Sequence, residues 1–216
     1  MPERTGKSTI QLKNKPSVTG YACAVGKKEG EGPLAQYFDK IYNDEFCGEK
    51  SFEKAETHLQ KAAIQTAIKK AKINKNDIDL CFAGDLLNQC IGSAFGMRDL
   101  KMNFAGLYGA CSTMALSLAL ASIMTDCGAA RASLAATSSH FCSAERQYRM
   151  PLEYGGQRTP AAQWTVTGAG AVIVSENRPD MPYIDKVIFG SVRDLNITDT
   201  NNMGAAMAPV DVKIEP

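Results

Sequence analysis

The sequence predicts a layered α/β fold, and three observations carry that prediction. Short apolar runs alternate with segments of helical spacing along most of the chain, which is the pattern of sheet with helices laid against it. Residues 112–125 are a near-continuous run of small and apolar side chains. A helix apolar on all sides is buried on all sides, so it needs cover above and below, which two sheets with a helix layer between them supply. Hydrophobic residues make up 44% and charged residues 22% of 216, ordinary globular usage for one large domain or two small ones.

Each element follows in order. Residues 17–25, SVTGYACAV, read as the first strand, and the polar residues before them show no clear period. Residues 26–33, GKKEGEGP, form a charged, glycine-rich loop. Ser51 is an N-cap, with Glu53 placed to favour the helix dipole. The helix over 51–72 carries Phe52, Ala55, Leu59, Ala63 and Ala67 at helical spacing and ends in lysines. His58 lies within it as a solvated or partly covered residue. Residues 79–83, DLCFA, form a buried strand that Gly84 and Asp85 end. A short helix over 91–98, a strand over 103–108, the apolar helix over 112–125 and a strand over 132–137 come next. A long polar loop spans 138–164. Strands over 167–175 and 183–194 follow. The string GAGAV at 168–172 lacks the lysine and the following helix of a phosphate loop. It reads as close backbone packing, and no cofactor is implied.

Charge and cysteine usage narrow the class. With 24 Lys+Arg against 23 Asp+Glu, the net charge is +1, which argues against a nucleic-acid partner. The 7 cysteines lack CxxC spacing, so they point to a reducing, cytosolic compartment rather than a disulfide framework. The 2 histidines, His58 and His140, do not pair with cysteine at finger-like spacing, and no metal site is expected. The N-terminus lacks the apolar run of a signal peptide. The longest weakly polar run, residues 114–124, is about half of the roughly 20 residues that span a bilayer. Membrane association is therefore expected to be peripheral, through a partner.

Three strand ends carry the candidate chemistry. Asp85, Cys111 and His140 each follow a predicted strand, and ligands of open α/β sheets bind outside the carboxyl ends of strands. Cys111, in YGACST, sits at a strand–turn–helix junction like a nucleophile elbow. With Ser112 it meets a helix N-terminus that favours a thiolate or a bound carboxylate. The alternative for Cys111 is a buried inert thiol, the reading given to the other cysteines. His140 is a base or carboxylate ligand, or else a surface loop residue. Asp85 orients a ligand or caps the next turn, and capping is favoured for it alone. Asn88 belongs to the same string, AGDLLNQ. Arg146, Arg149 and Arg158 suit bidentate carboxylate recognition. For any single one, pairing with Glu145 or Glu153 in a solvated loop is the plainer reading.

YGACST before a buried helix, with VTGAGAVIVS as a later strand, resembles the N-terminal half of the thiolase and ketoacyl-synthase superfamily. The longer strings KEGEGPL, AGDLLNQ, YGACST, LAATSSH, AERQYRMPLEYGGQ, TVTGAGAVIVS and MGAAMAP, from residue 28 to 209, resemble the stage V sporulation protein AD family of endospore-forming bacteria. The resemblance implies a thiolase-like αβαβα fold of two similar halves. It implies non-enzymatic binding of dipicolinic acid (pyridine-2,6-dicarboxylate) or its calcium chelate, and a role in moving it into the developing spore with membrane proteins of the same operon. The protein would sit peripherally on the cytoplasmic side of the spore inner membrane. Asp85, Asn88, Cys111, Ser112, His140 and Arg146 are the candidate ligand-binding residues. By the same comparison, residues 1–178 are the N-terminal half and 179–216 the opening strand and tail of a second half otherwise lacking. An incomplete cover over the apolar helix then favours a homodimer.

The rival function is acyl transfer of the thiolase or ketoacyl-synthase type, with Cys111 as nucleophile. No histidine follows His140, and a cysteine without a base is a weak nucleophile.

Overall fold

The computed structural model describes residues 1–148 and 165–191 together with Asn196 and Thr198, and only the backbone of residues 145–148. Two short strands open it, β1 (Glu3–Arg4) and β2 (Thr9–Gln11). Then come β3 (Ser17–Val25), a one-turn helix α1 (Lys27–Gly30), β4 (Lys40–Ile41) and the long helix α2 (Phe52–Ala71). Next are β5 (Leu80–Gly84), α3 (Ile91–Leu100), β6 (Phe104–Gly106) and α4 (Thr113–Asp126). The last elements are β7 (Ala132–Ser139), α5 (Phe141–Tyr148), β8 (Gly168–Ser175) and β9 (Lys186–Ile188).

Six strands form one mixed sheet in the order β4-β3-β8-β7-β5-β6. β7, β5 and β6 run parallel, and β8 runs antiparallel to both β7 and β3. Side chains alternate along β5. Cys81 and Ala83 face the core under α2 and α3, while Leu80 and Phe82 face α4. α2 begins where its sequence requires. Ser51 Oγ accepts from Lys54 N at 3.3 Å, and Lys72, at φ 54°, ends the helix in the left-handed region. Its stripe of Ala55, Leu59, Ala63 and Ala67 is fully buried on the sheet.

The layered α/β class stands, with corrections to its parts. α4 is not buried on all sides. Its small side chains, Thr113, Ser117, Ala121 and Thr125, face the sheet, while Leu116, Leu120 and Ile123 are half-buried and Ala115 is exposed. β1 and β2 form a small antiparallel sheet with β9, where no N-terminal strands were expected. α1 interrupts the expected loop at 26–33, and α5 occupies the start of the loop expected over 138–164. Of the strand expected over 183–194, Lys186–Ile188 is strand, and residues 192–195 lie outside the described residues.

Candidate functional site

The topology brings the three strand ends to one edge. β6, β5 and β7 are adjacent and parallel, with Cys81 opposite Phe104 and Gly84 opposite Thr137. Asp85, the turn holding Cys111, and His140 therefore leave the sheet side by side. Gly84 makes this close approach possible. A Cβ there would run into the Leu107 carbonyl oxygen and come within 2.7 Å of Thr113 Cγ2. Its absence lets the segment after β6 and the first turn of α4 lie against the end of β5.

Cys111 is exposed, in a 3-10 turn of Ala110–Ser112 just before α4. Ala110 takes φ 46°, a left-handed conformation that costs a non-glycine residue about 1–3 kcal/mol and concentrates at functional turns. Ser112 Oγ donates to Gly109 O at 2.7 Å. Ser112 does not cap α4 with its side chain. The positive end of the helix dipole, with its first N–H groups, faces the Cys111 turn and suits an anion. The inert buried reading is thus wrong for Cys111. It is also wrong for Cys127, which is exposed, and for Cys23 and Cys142, which are only part-buried.

Asp85 is buried and caps the next turn and helix. Its Oδ1 accepts from Leu87 N at 2.9 Å, and its Oδ2 accepts from both Ser93 N and Ser93 Oγ at 2.7 Å. Asn88 is exposed, in a turn whose next residues, Gln89 and Cys90, hold φ of 60° and 51°.

His140 is not a surface loop residue. It is 1% exposed. Its Nε2 donates to Glu45 O at 2.8 Å, and its Nδ1 accepts from Cys142 N at 3.2 Å. Those two bonds define a neutral ring with its hydrogen on Nε2. Burial holds its pKa below the usual imidazole value. The ring packs 5.1 Å from the Phe52 ring. Both nitrogens are therefore committed within the fold, and His140 is not set as a base on Cys111. His58 is likewise engaged, with Tyr42 Oη at 3.0 Å and Glu49 Oε1 at 3.2 Å. Arg146 lies on α5 with its side chain outside the described residues, as are Arg149 and Arg158 entirely.

Sequence reasoning missed a buried polar network beneath this edge. Gln60 Nε2 donates to Ser93 Oγ at 2.9 Å and Ser138 Oγ at 3.3 Å. Ser138 Oγ donates to Glu56 Oε1 at 3.2 Å, and Ser143 Oγ lies 2.9 Å from Glu56 Oε2. Asp85, Ser93, Gln60, Ser138, Glu56 and Ser143 thus form one chain. Burial first, then the Asp85 charge, raises the Glu56 pKa to about 8. The available signal was Glu56 and Gln60 at i, i+4 beside the Ala55–Leu59–Ala63 stripe of α2.

A cleft of about 580 Å³ lies elsewhere, between α2 and α3, with Thr57, His58, Ile91 and Phe95 in its lining. Lys61 and Arg98 there are already paired with Asp99. Among the described residues, no three His, Cys, Asp or Glu side chains form a group that could hold a metal ion.

Solved structures share this architecture. The 3-oxoacyl-[acyl-carrier-protein] synthase III of Aquifex aeolicus VF5 matches with TM-score 0.53 at 15% identity, over 75% of this chain and 54% of that one. OleA of Xanthomonas campestris, in a form bound with cerulenin, matches with TM-score 0.56 at 14% identity, over 81% and 61%. At such identities the likeness shows the fold alone, and it defines a thiolase-like α/β protein. Within that class the chain belongs to the stage V sporulation protein AD family, whose model matches residues 6–214. Stage V sporulation protein AD of Bacillus subtilis (strain 168) is 46% identical over 205 residues, which are 95% of this chain and 60% of that protein. The chain thus spans about 60% of its curated relative's length.

Proposed function

We propose that this sporulation-family chain binds dipicolinic acid or its calcium chelate without catalysis, and serves its uptake into the developing spore. The observation that carries the reading is the edge formed by β5, β6 and β7, where an exposed Cys111 turn meets the uncapped N-terminus of α4. A planar dicarboxylate suits such a receptor, because one carboxylate can take the helix N–H groups. Asp85 and His140 then act as the rigid wall of the site, and Asn88, Ser112 and Arg146 as candidates at its rim. Membrane proteins of the same operon are the proposed partners, on the cytoplasmic side of the spore inner membrane. Among the described residues no helix is long and apolar enough to cross a membrane. The half-buried outer side chains of α4 support self-association as a homodimer.

Equilibrium dialysis of the full chain against dipicolinate, with and without calcium, tests the proposal. Saturable uptake that Cys111→Glu abolishes is expected, since a carboxylate there repels the ligand. Uptake unaffected by Cys111→Glu places binding elsewhere.

Acyl transfer is the second reading, favoured by the exposed Cys111 and the left-handed Ala110 before it. Both histidines of the chain are committed to other partners, so Cys111 lacks an imidazole base here. Incubation with acetyl-CoA and intact-mass analysis separates the readings. An acetyl adduct that is lost in Cys111→Ala supports the enzyme.

A further inference from the structure

Glu56 is a fully buried acid on α2 that makes no ion pair among the described residues. Among the described side chains, each element packed around it offers a hydroxyl or a negative charge. β7 supplies Ser138 and α5 supplies Ser143. α3 supplies Ser93, which reaches Glu56 through Gln60 and Ser138. Among the described residues, the charged groups acting on Glu56 are Asp85, after β5, and Glu53, on α2 itself, and both are acidic. His140 lies nearby in sequence to Ser138 and Ser143, but its ring turns to Glu45 O and Phe52. Gly92 separates the two carboxyls. A Cβ at that position would sit 3.4 Å from Asp85 Oδ2 and 3.8 Å from Glu56 Cδ.

The hydrogen bonds themselves require a choice of proton position. Ser143 Oγ lies 2.9 Å from Glu56 Oε2 and 3.1 Å from His140 O. One hydroxyl hydrogen cannot serve both acceptors. A proton on Glu56 Oε2 resolves the conflict, because Glu56 then donates to Ser143 Oγ and Ser143 donates to the His140 carbonyl. Ionised Glu56 takes the Ser143 hydrogen for itself, and the carbonyl at the end of β7 loses that donor.

We propose that Glu56 is a protonated positioning residue of the strand-end site, whose neutral carboxyl ties α2 to the ends of β7 and α5 and whose ionisation weakens anion binding there. This rests on the ligand reading above. Burial and the acidic neighbours, which push the Glu56 pKa to about 8, agree with the hydrogen-bond argument. Two effects oppose the anion when the proton leaves. A new negative charge appears beside Asp85, and the Ser143–His140 link at the end of β7 is broken. Dipicolinate is itself ionised throughout this range, so the pH response belongs to the protein.

The test has a ligand-free arm and a ligand arm, on the full chain. An acid whose folded pKa lies above its unfolded value loses stability as pH rises between the two, here from about 4.5 to about 8, and no further above. Without ligand, the wild type is expected to show that fall and Glu56→Gln to lack it. Asp85→Asn removes a negative charge that favours the protonated form, and it moves the midpoint to lower pH. This second variant serves if Glu56→Gln does not fold. With dipicolinate, the wild-type Kd is expected to rise about fivefold or more from about pH 6.5 to about pH 9.5, and the Glu56→Gln Kd to stay level. Equal ligand-free profiles in wild type and Glu56→Gln overturn the protonated state. Equal pH dependence of Kd in the two overturns the positioning role. No dipicolinate binding at any pH overturns the ligand reading and this coupling with it, and the ligand-free arm still reports the Glu56 proton.

Discussion

Asp85 and Ser93 meet through two hydrogen bonds of 2.7 Å into one carboxylate oxygen, one from the Ser93 amide and one from its hydroxyl. The other oxygen takes the Leu87 amide at 2.9 Å. Truncating Asp85 leaves three buried donors without their acceptor. Asp85→Ala is expected to cost about 3 kcal/mol of stability, measured by urea unfolding. A loss below about 0.5 kcal/mol would mean that the cap is dispensable. Any binding defect of an Asp85 variant has to be read beside that loss.

His140 carries the acid-side pH dependence. Burial lowers its folded pKa beneath the usual imidazole value of about 6.5. A base with a depressed folded pKa leaves the unfolded chain binding more protons, so its contribution to stability is lost as pH falls from about 6.5 toward the folded pKa. Nuclear magnetic resonance titration of the full chain is expected to show one imidazole titrating below the ordinary value. Two imidazoles titrating normally contradict the buried, doubly bonded ring.

Two neighbouring glycines separate tight packing from ordinary contact. Gly84→Ala drives a methyl into the Leu107 carbonyl and Thr113, and it is expected to destabilise by about 1–3 kcal/mol. At Gly92 the new methyl meets Asp85 and Glu56 no closer than 3.4 Å. It also gains the helix preference of alanine, roughly 0.5–1 kcal/mol. Gly92→Ala is therefore expected to be neutral or slightly stabilising. Comparison of the two melting temperatures checks both, and equal effects contradict the account.

Cysteine labelling reads the exposure of the site turn. Cys111 is exposed, whereas Cys81 is buried and burial pushes its thiol up to about 12. Iodoacetamide under native conditions is expected to modify Cys111 well before Cys81, as read by peptide mass analysis. Modification of both at one rate contradicts the placement of Cys111 at the surface.

Much of the scaffold was legible because its signals are local. The Ser51 cap and the alanine stripe of α2 lie within a few turns, and the apolar runs of β3, β5, β7 and β8 are continuous. The small sheet was not legible, since Thr9–Gln11 pairs with Lys186–Ile188 at the other end of the described chain. The burial of α4 was misread for a physical reason. A uniformly apolar helix carries no hydrophobic contrast between its faces. Its most deeply buried positions are the small ones, Thr113, Ser117, Ala121 and Thr125, while Met114, Leu118, Leu120 and Met124 pack part-buried against the core at their sides. At the site, strand-end placement was legible for Asp85, Cys111 and His140. Their hydrogen-bond partners were not, since Ser93 reaches Asp85 and Glu45 reaches His140 only through the tertiary fold.

The most direct measurement is a thermal-shift titration of the full chain with dipicolinate, with and without calcium. A ligand that binds only the folded state adds about 2.7 kcal/mol at roughly 100 times its Kd. For a domain of this size that is a rise of roughly 5–10 °C in Tm. The account predicts a saturable rise that Cys111→Glu removes while the variant still melts cooperatively. A cooperative wild-type melt that dipicolinate leaves unmoved, at every concentration and with or without calcium, would contradict it.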